Sequence, residues 1–281
     1  MVLDGKKLAG EIKSQIREEV IRLKEKGIIP GLAVVIVGND PASKVYVKNK
    51  KRACEEIGVY SEEVALREET TQDQLLQVIS ALNKDKKIHG ILVQFPLPGH
   101  ISSSAVTRAI SPEKDVDCFN EYNLGKICSG EADIFPCTPF GIIEILRSNG
   151  IEIEGKTCTI VGRSNIVGKP LSLMMLSRNA TVTVCHSKTK DIKKFCSQAD
   201  ILVSAVGKPK LISEDMVKKG ATLIDVGINR LPDGKLCGDV DFERVKIKAE
   251  HITPVPGGVG PMTIAVLMKN LVKLAEKYDN K

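Results

Sequence analysis

Apolar runs and amphipathic segments alternate along almost the whole chain. The runs are short, rich in β-branched residues and of the continuous kind found in strands that are covered on both faces. They occupy 31–37, 88–95, 157–161, 180–185, 201–206 and 221–226, and a further segment, 59–66, alternates between apolar and polar residues. The intervening segments have helical spacing, so the pattern predicts an α/β protein built on parallel sheets.

Start and stop residues delimit the predicted helices. Asp40-Pro41 precedes a helix over 42–57 that Gly58 ends, and Thr71 begins a helix that runs to Asn83. Further helices are predicted at the N-terminus, at 139–148, from Asp191, from Ser213 and at 262–278. Asp233-Gly234 predicts a hairpin turn. Residues 253–263 contain three prolines and three glycines, which predicts neither helix nor central strand. Such a backbone permits a ligand to approach closely, and a structural turn is the alternative.

The chain has 281 residues, enough for one large or two ordinary α/β domains, and we favour two that each bury a core. Residues 120–139 are rich in Gly and Cys and predict an irregular linker out of the first domain. The predicted domains are therefore 1–138 and 139–261. We expect the final amphipathic helix, 262–281, to pack back on the first domain.

Residues 157–187 predict a strand, a glycine turn, a helix and a second strand, which together form a β-α-β unit. The turn runs from Gly162 to Gly168, and its spacing differs from the common G-x-G-x-x-G pattern. The amides and macrodipole at the start of the helix attract phosphate, so the turn predicts a dinucleotide site. A β-α-β unit with a purely structural role is the alternative.

The end of the second predicted strand indicates which dinucleotide would bind. NAD sites usually place Asp or Glu there, whereas this chain has His186, Ser187 and Lys188, with Arg163 in the glycine turn. A hydroxyl and cations in this place favour a 2′-phosphate and therefore NADP. A solvated basic loop is the alternative.

One lysine of the helix over 42–57 lies on its apolar side. At about 100° per residue, Lys50 falls among Ala42, Tyr46, Ala53 and Ile57, whereas the neighbouring basic residues project to the opposite side. A lysine on an inward face either extends to the edge or has its charge perturbed, and perturbed lysines are frequent in active sites. Tyr46 places a hydroxyl at the same spot, so the spacing indicates a functional pair.

Polar residues follow or flank the predicted buried strand 88–95. Gln94 lies at its carboxyl end, where parallel sheets bind ligands, and the alternative is a role in capping the strand.

Asp115 and Asp117 lie two residues apart in the loop 111–119, and in an extended segment both would point the same way. Loop aspartates also cap neighbouring helices, which is the alternative for this pair.

Composition excludes several classes of protein. Lys and Arg exceed Asp and Glu by 41 to 35, which suits an anionic ligand but lacks the basic stripe of a nucleic-acid binder. No apolar run approaches the ~20 residues that span a bilayer, and the N-terminal segment lacks the apolar core of a signal peptide. The eight cysteines include no C-x-x-C pair and predict reduced, mostly buried thiols in a cytoplasmic protein without a zinc site. His89, in an apolar strand, predicts a hydrogen-bonded core residue.

Seven motifs in order carry a resemblance to a known family. They are VGNDPASKVYVKNKKRACEEIG, GILVQFPLP, PEKDVDCF, PCTPFG, VGRSNIVGKP, IDVGINR and ITPVPGGVGPMT. Together they closely resemble the bifunctional methylenetetrahydrofolate dehydrogenase/cyclohydrolase family, nearly from end to end. The resemblance implies an N-terminal α/β catalytic domain, a Rossmann-type NADP-binding domain and an active-site cleft between them. It also implies a homodimer.

The resemblance further implies two reactions on one folate, namely oxidation of 5,10-methylenetetrahydrofolate by NADP+ and hydrolysis of the methenyl product to 10-formyltetrahydrofolate. Lys50 corresponds to the lysine required for hydrolysis, with Tyr46 beside it and Gln94 positioning it, and Asp117 corresponds to the aspartate that holds the pterin. The implied NADP site comprises Gly162, Arg163, Ser164, Ser187 and Ile228. The implied folate border comprises Pro256, Gly257, Gly258 and Pro261. No metal is implied.

Cys118 departs from the family pattern, which usually has Gly after the second aspartate, and a side chain there restricts the backbone next to Asp117. Two other functions remain open at this stage. One is a folate dehydrogenase without cyclohydrolase activity, against which the set Tyr46, Lys50 and Gln94 argues. The other is a non-catalytic protein that senses NADP or binds nucleic acid, which would leave Lys50 unexplained.

Overall fold

The structure is a computed structural model that describes residues 1–279. Contacts between Cα atoms divide the chain into two compact units. The three-stranded unit contains residues 11–135 and the described residues from Ile264 onward, and the five-stranded unit contains residues 1–10 and 136–263. The boundaries of the predicted domains stay a prediction. The same holds for the predicted final segment, 262–281, whose last two residues lie outside the described residues.

The secondary structure alternates as the apolar pattern predicts. The α-helices are α1 Gly5–Glu25, α2 Pro41–Ile57, α3 Gln72–Lys84, α4 Ser103–Ala109, α5 Glu121–Ser129, α6 Cys137–Ser148, α7 Gly168–Leu176, α8 Ile192–Cys196, α9 Phe242–Val245 and α10 Val259–Asp279. The strands are β1 Gly31–Val37, β2 Tyr60–Leu66, β3 Gly90–Val93, β4 Thr157–Val161, β5 Thr181–Cys185, β6 Ile201–Ser204, β7 Thr222–Asp225, β8 Asn229–Arg230, β9 Leu236–Cys237 and β10 His251–Ile252. The α/β fold class is therefore confirmed.

The three-stranded unit has a parallel sheet in the order β2-β1-β3. Every residue of the central strand β1 is buried, which explains its continuous apolar sequence. His89 is 7% exposed, and its Nδ1 accepts a hydrogen bond of 3.1 Å from the amide of Gly31. The prediction of a hydrogen-bonded core histidine is confirmed.

The predicted helix boundaries depend on caps that the structure contains. The Asp40 carboxylate accepts a 2.7 Å hydrogen bond from the amide of Ser43, and Gly58 ends α2 with a φ of 79°. Thr71 and Gln74 form a reciprocal capping box at the start of α3. These local signals fix where α2 begins, and with it the position of Lys50 on the helix.

The five-stranded unit has a parallel sheet in the order β10-β7-β6-β4-β5. β4 and β5 flank α7 in sequence, as the predicted β-α-β unit requires. Strands β8 and β9 form the antiparallel hairpin that Asp233-Gly234 predicts. Since β4 and β6 are neighbours, the segments that follow them lie at the same carboxyl edge of the sheet.

Three predictions of secondary structure are wrong. Residues 121–129, predicted as irregular linker, form α5, because the side chain of Asn120 caps its first turn and Gly130 ends it in the left-handed conformation. The helix predicted from Ser213 is only a 3₁₀ turn, Glu214–Met216. Residues 259–263, predicted to be non-helical, form the start of α10, where the missing N–H of Pro261 costs no hydrogen bond.

The cysteines are free thiols, six of them buried, as the sequence predicts. Within residues 1–279, no group of three or more His, Cys, Asp or Glu side chains could hold a metal ion. None of the helices in this part of the chain is both long enough and apolar enough to cross a membrane.

Candidate active site

Lys50 and Gln94 are in direct contact in the three-stranded unit. Lys50 Nζ donates a hydrogen bond of 2.9 Å to Gln94 Oε1. Gln94 directly follows β3, and its Nε2 donates to the carbonyl of Phe95 at 2.6 Å. That bond directs the amide oxygen toward the lysine. The amide is neutral, so it can orient the amine without offering a carboxylate that would stabilise the ammonium form.

The buried stripe of α2 is displaced from the predicted one. At about 100° per residue, Ser43, Val47, Cys54 and Ile57 lie within about 40° of one direction, and all four are less than 5% exposed. The half-buried Lys50 falls in the middle of this stripe. α2 contacts β1 and β2, and this packing, which spacing alone does not reveal, selects the face.

The spacing predicts Tyr46 on the apolar stripe, whereas in the structure it lies at the edge of the stripe with 39% of its surface exposed. The prediction of an inward-facing tyrosine is therefore wrong, although the residue remains one turn from Lys50. Partial burial raises the pKa of the Tyr46 hydroxyl above its ordinary value of 10.0. The phenol thus stays protonated at neutral pH and can donate a hydrogen bond.

Ser43 is a polar member of the stripe that the sequence reasoning missed. It is 3% exposed, and its Oγ has no hydrogen-bond partner among the described residues. A serine seven positions before Lys50 on the same face was the available signal. Burial of an unpaired hydroxyl is costly, so this position is a candidate part of the site.

The loop 111–119 separates the two aspartates into different environments. Asp115 is 2% exposed, and its carboxylate accepts hydrogen bonds from Phe119 N, Asn120 N and Asn123 Nδ2 at 3.1, 2.8 and 2.9 Å. Asp117 is half-buried. The segment consists mainly of turns rather than extended strand, so the condition under which both side chains would point the same way is not met. Asp115 organises the loop, and this leaves Asp117 as the candidate ligand.

Cys118 adopts the left-handed conformation, with a φ of 59°, that glycine would adopt without strain. Its side chain is buried, and its Sγ lies 3.5 Å from the carbonyl oxygen of Ile134. The chain thus keeps the turn beside Asp117 although a side chain replaces the usual glycine. The conformation costs on the order of 1–2 kcal/mol.

The charge state of Asp115 is expected to make folding stability depend on pH. Burial raises the pKa of its carboxyl from 3.8 to about 6, against the three donors that lower it. The protonated carboxyl therefore contributes stability that is complete below pH 3.8 and is lost as the pH rises through about 6. Between about pH 5 and about pH 7.5, the wild type should lose about 1 kcal/mol of unfolding free energy relative to Asp115→Asn.

Urea unfolding of both proteins at the two pH values measures this difference. Asp73→Asn removes an exposed aspartate of α3 and is the matched control, since its pH dependence should follow the wild type. Parallel pH dependence of the wild type and Asp115→Asn would contradict the prediction.

The glycine turn between β4 and α7 is built with almost no free space. Gly162 has a φ of 129°, and a Cβ added there would lie 2.5 Å from the carbonyl oxygen of Ala205. A Cβ on Gly168 would lie 2.0 Å from the carbonyl oxygen of Gly162. The Ser164 hydroxyl accepts a hydrogen bond of 3.1 Å from the amide of Val167. The turn thus presents backbone at the start of a nine-residue helix, which fits a diphosphate.

Polar groups suited to a 2′-phosphate lie in this unit. Arg163 in the glycine turn is exposed, and so are Ser187 and Lys188 after β5. The amide of Lys188 donates to His186 Nδ1 at 3.1 Å, which fixes the turn that carries the hydroxyl and the ammonium group. The residues present therefore fit NADP.

The other predicted binding residues lie after β7, in the segment before α10 and in the first turn of α10, all in the same unit. Ile228, 47% exposed, follows β7. The segment before α10 contains a cis peptide bond between Val255 and Pro256 and a left-handed Gly257, whose carbonyl accepts a hydrogen bond from the amide of Lys6. Gly258 and Pro261 complete the predicted folate border, and the ligand roles of all these residues stay predictions.

Comparison with known proteins identifies both parts of the chain. Residues 3–117 match the catalytic-domain model of tetrahydrofolate dehydrogenase/cyclohydrolase, and residues 136–279 match its NAD(P)-binding-domain model. The bifunctional protein FolD of Moorella thermoacetica is 58% identical over 98% of this chain and 99% of its own length.

Solved structures agree. The bifunctional FolD methylenetetrahydrofolate dehydrogenase/cyclohydrolase of Campylobacter jejuni is 50% identical, with a TM-score of 0.97 over 99% of both chains. The Trypanosoma brucei enzyme, solved with NADP cofactor and an inhibitor, is 38% identical, with a TM-score of 0.96 over 100% of this chain and 99% of its own. This chain belongs to the tetrahydrofolate dehydrogenase/cyclohydrolase family.

Proposed function

We propose that this protein oxidises 5,10-methylenetetrahydrofolate with NADP+ and hydrolyses the resulting 5,10-methenyltetrahydrofolate to 10-formyltetrahydrofolate. Matches to both family models and the bifunctional relatives support this function. The observation that carries it is the 2.9 Å contact between Lys50 and Gln94, because a dehydrogenase alone would have no need of an oriented amine.

Lys50 acts as the base for hydrolysis. Water adds to the methenyl carbon and loses one proton to the neutral amine of Lys50. The bond between that carbon and N5 then breaks as the added hydroxyl gives up its proton and N5 takes one up, so that the formyl group stays on N10. Overall, one proton is released to solvent. The substrate is a cation, so a second positive charge beside it is disfavoured, which keeps the amine neutral. Gln94 holds the amine in place through its amide oxygen.

Tyr46 and Asp117 bind and orient the folate. A protonated phenol at the edge of the α2 stripe donates a hydrogen bond to the substrate. The Asp117 carboxylate offers two acceptors to adjacent N–H donors on the pterin edge. Pro256, Gly257, Gly258 and Pro261 border the folate.

Bound NADP+ supplies the hydride acceptor, and the folate nitrogen supplies the electrons that make its methylene group a donor. The chain contributes alignment rather than a proton-transfer group. Gly162 and Ser164 shape the turn that receives the diphosphate. Arg163 and Ser187 bind the 2′-phosphate, and Ile228 packs against the cofactor.

Replacing Arg163 with alanine is expected to lower the preference for NADP+ over NAD+ by about 10- to 100-fold, since a hydrogen bond to a charged group contributes about 1.5–3 kcal/mol. The ratio of kcat/KM for the two cofactors measures the preference. Arg244→Ala removes an exposed guanidinium of α9 as the matched control and should leave the ratio unchanged. An unchanged ratio in Arg163→Ala would assign the 2′-phosphate to other residues.

A paired absorbance assay tests the function. Purified protein is mixed with methylenetetrahydrofolate and either NADP+ or NAD+, and the methenyl product is followed as it forms and decays. We expect faster formation with NADP+ and enzyme-dependent decay. Formation without decay would indicate a monofunctional dehydrogenase, and salt-dependent nucleic-acid binding without folate turnover would indicate a binding protein.

We also propose that the protein is a homodimer and is cytoplasmic. The family resemblance supports the dimer, and the free, mostly buried thiols support the location. Light scattering of the purified protein tests the first proposal, and cell fractionation tests the second.

A further inference from the structure

Asp239 is a buried carboxylate for which the reaction chemistry has no use. It lies after β9 and is 0% exposed. Its two oxygens accept five hydrogen bonds, from Ser204 Oγ, Val206 N and Gly207 N at 3.1, 2.9 and 3.3 Å, and from Lys208 N and Asn229 Nδ2 at 2.8 and 3.1 Å. Burial of a carboxylate is expensive unless it is satisfied in this way.

Four of the five donors belong to the last residue of β6 and to the segment that follows it. The fifth, Asn229, begins β8, the strand that comes after β7 in the chain. β6 ends at Ser204 and β7 ends at Asp225. In parallel sheets, ligands bind beyond the carboxyl ends of the strands. Asp239 thus joins two neighbouring loops at the edge where a nucleotide is expected.

The first of these loops touches the glycine turn directly. The carbonyl oxygen of Ala205 lies 2.5 Å from the Cβ that Gly162 lacks, and the amide of Ala205 donates to the carbonyl of Val161 at 2.8 Å. A shift of the 205–208 loop would therefore disturb the turn that receives the diphosphate.

The second loop presents Ile228. Its neighbour Asn229 is 9% exposed and is fixed by the hydrogen bond to Asp239, while Ile228 itself is 47% exposed. The buried asparagine therefore holds the segment so that the isoleucine faces outward.

A second carboxylate holds Asp239 in place. Asp225, 3% exposed, accepts hydrogen bonds from the amides of Asp239 and Val240, both at 2.9 Å. There is no room for side chains around the pair. A Cβ on Gly227 would lie 2.1 Å from Asp239 Oδ1, and one on Gly238 would lie 1.8 Å from Asp225 Oδ2.

We propose that Asp239 is a positioning residue for NADP, which fixes the loops 205–208 and 227–229 in the conformation that receives the cofactor. This inference rests on the proposed function, because it assigns the NADP site to this edge of the five-stranded sheet. A carboxylate suits the task because one compact group accepts from five donors on two loops.

Asp239→Asn tests the proposal, since it keeps the size of the side chain and turns an NH₂ group toward N–H donors. Calorimetric titration with NADP+ should show a dissociation constant at least ~10-fold higher than that of the wild type, with a matching rise in KM for NADP+ and kcat within about threefold. Hydrolysis of added methenyltetrahydrofolate, which needs no NADP+, should stay at the wild-type rate.

Two further variants keep the test decisive. Asp233→Asn alters an exposed carboxylate in the nearby hairpin turn and should bind NADP+ as the wild type does. Ser204→Ala removes one of the five donors and should raise the dissociation constant about threefold. If Asp239→Asn fails to fold, the dissociation constant of Ser204→Ala for NADP+ tests the proposal.

Unchanged NADP+ affinity in a folded Asp239→Asn would overturn the proposal. If Asp239→Asn instead lost both activities equally, unchanged NADP+ affinity in Ser204→Ala would overturn it. A wild type that binds NADP+ without oxidising the folate would contradict the proposed function. The affinity ratio between wild type and Asp239→Asn would still test the role of Asp239.

Discussion

Lys50→Met is expected to lower the rate of methenyltetrahydrofolate hydrolysis by about 100- to 10,000-fold, because a positioned base contributes about 10² to 10⁴ in rate. Methionine keeps the length and the apolar stem of the side chain, and Lys50 lies in the middle of the buried stripe of α2, so the helix should pack as before. Hydrolysis is measured as the decay of methenyl absorbance beyond the spontaneous rate.

Lys48→Met is the matched control. Lys48 is an exposed lysine of the same helix, so its replacement should leave hydrolysis unchanged. Reduction of NADP+ should persist in Lys50→Met, since hydride transfer requires no base from the protein. Wild-type hydrolysis in Lys50→Met would show that the contact with Gln94 serves only structure.

The second large effect is expected from Gly168→Ala, which should lower kcat/KM for NADP+ by at least ~100-fold. The new Cβ would lie 2.0 Å from the carbonyl oxygen of Gly162 and 3.0 Å from the Cα of Arg163. The backbone has to move, and this changes the turn that presents amides to the diphosphate. A misplacement of about 1 Å can cost about 10² in rate.

Hydrolysis provides the internal comparison for this variant, because Lys50 and Gln94 belong to the three-stranded unit and the turn belongs to the five-stranded unit. Gly168→Ala should therefore still hydrolyse methenyltetrahydrofolate. Gly10→Ala is the matched control, since an added Cβ there meets nothing within 4 Å. Normal NADP+ kinetics in Gly168→Ala would exclude the turn from cofactor binding.

The sequence predicted those parts of the fold that local signals determine. The apolar pattern predicts the fully buried strand β1 with its observed ends, because a continuous apolar run between turn residues is compatible with few other structures. The start of α2 followed from Asp40, whose side chain caps it. Lys50 was singled out because its charge contradicts the apolar stripe, and the structure places it within 3 Å of Gln94, 44 residues away.

Other features were missed because distant contacts determine them. The Gly and Cys content of α5 predicts a linker, although Asn120 and Gly130 cap the helix that the structure contains. The edge position of Tyr46 depends on which face of α2 meets β1 and β2. Residues 1–10 join the five-stranded unit through a bridge between Val2 and Ile252, some 250 positions along the chain, which no local pattern encodes.

The role inferred for Asp239 also depends on contacts between distant parts of the chain. Its donors lie 10 to 35 positions away, and nothing in the local sequence distinguishes this aspartate from the exposed ones nearby. Only the register of β6 and β7 brings the two loops to one carboxylate.

We assign the two activities to separate parts of the chain, hydrolysis to Lys50 and reduction of NADP+ to the glycine turn. The most direct test records NADPH formation and methenyl decay side by side for the wild type, Lys50→Met and Gly168→Ala. We expect Lys50→Met to reduce NADP+ and accumulate the methenyl compound, and Gly168→Ala to hydrolyse added methenyl compound while barely reducing NADP+. Proportional loss of both activities in both variants would contradict this assignment.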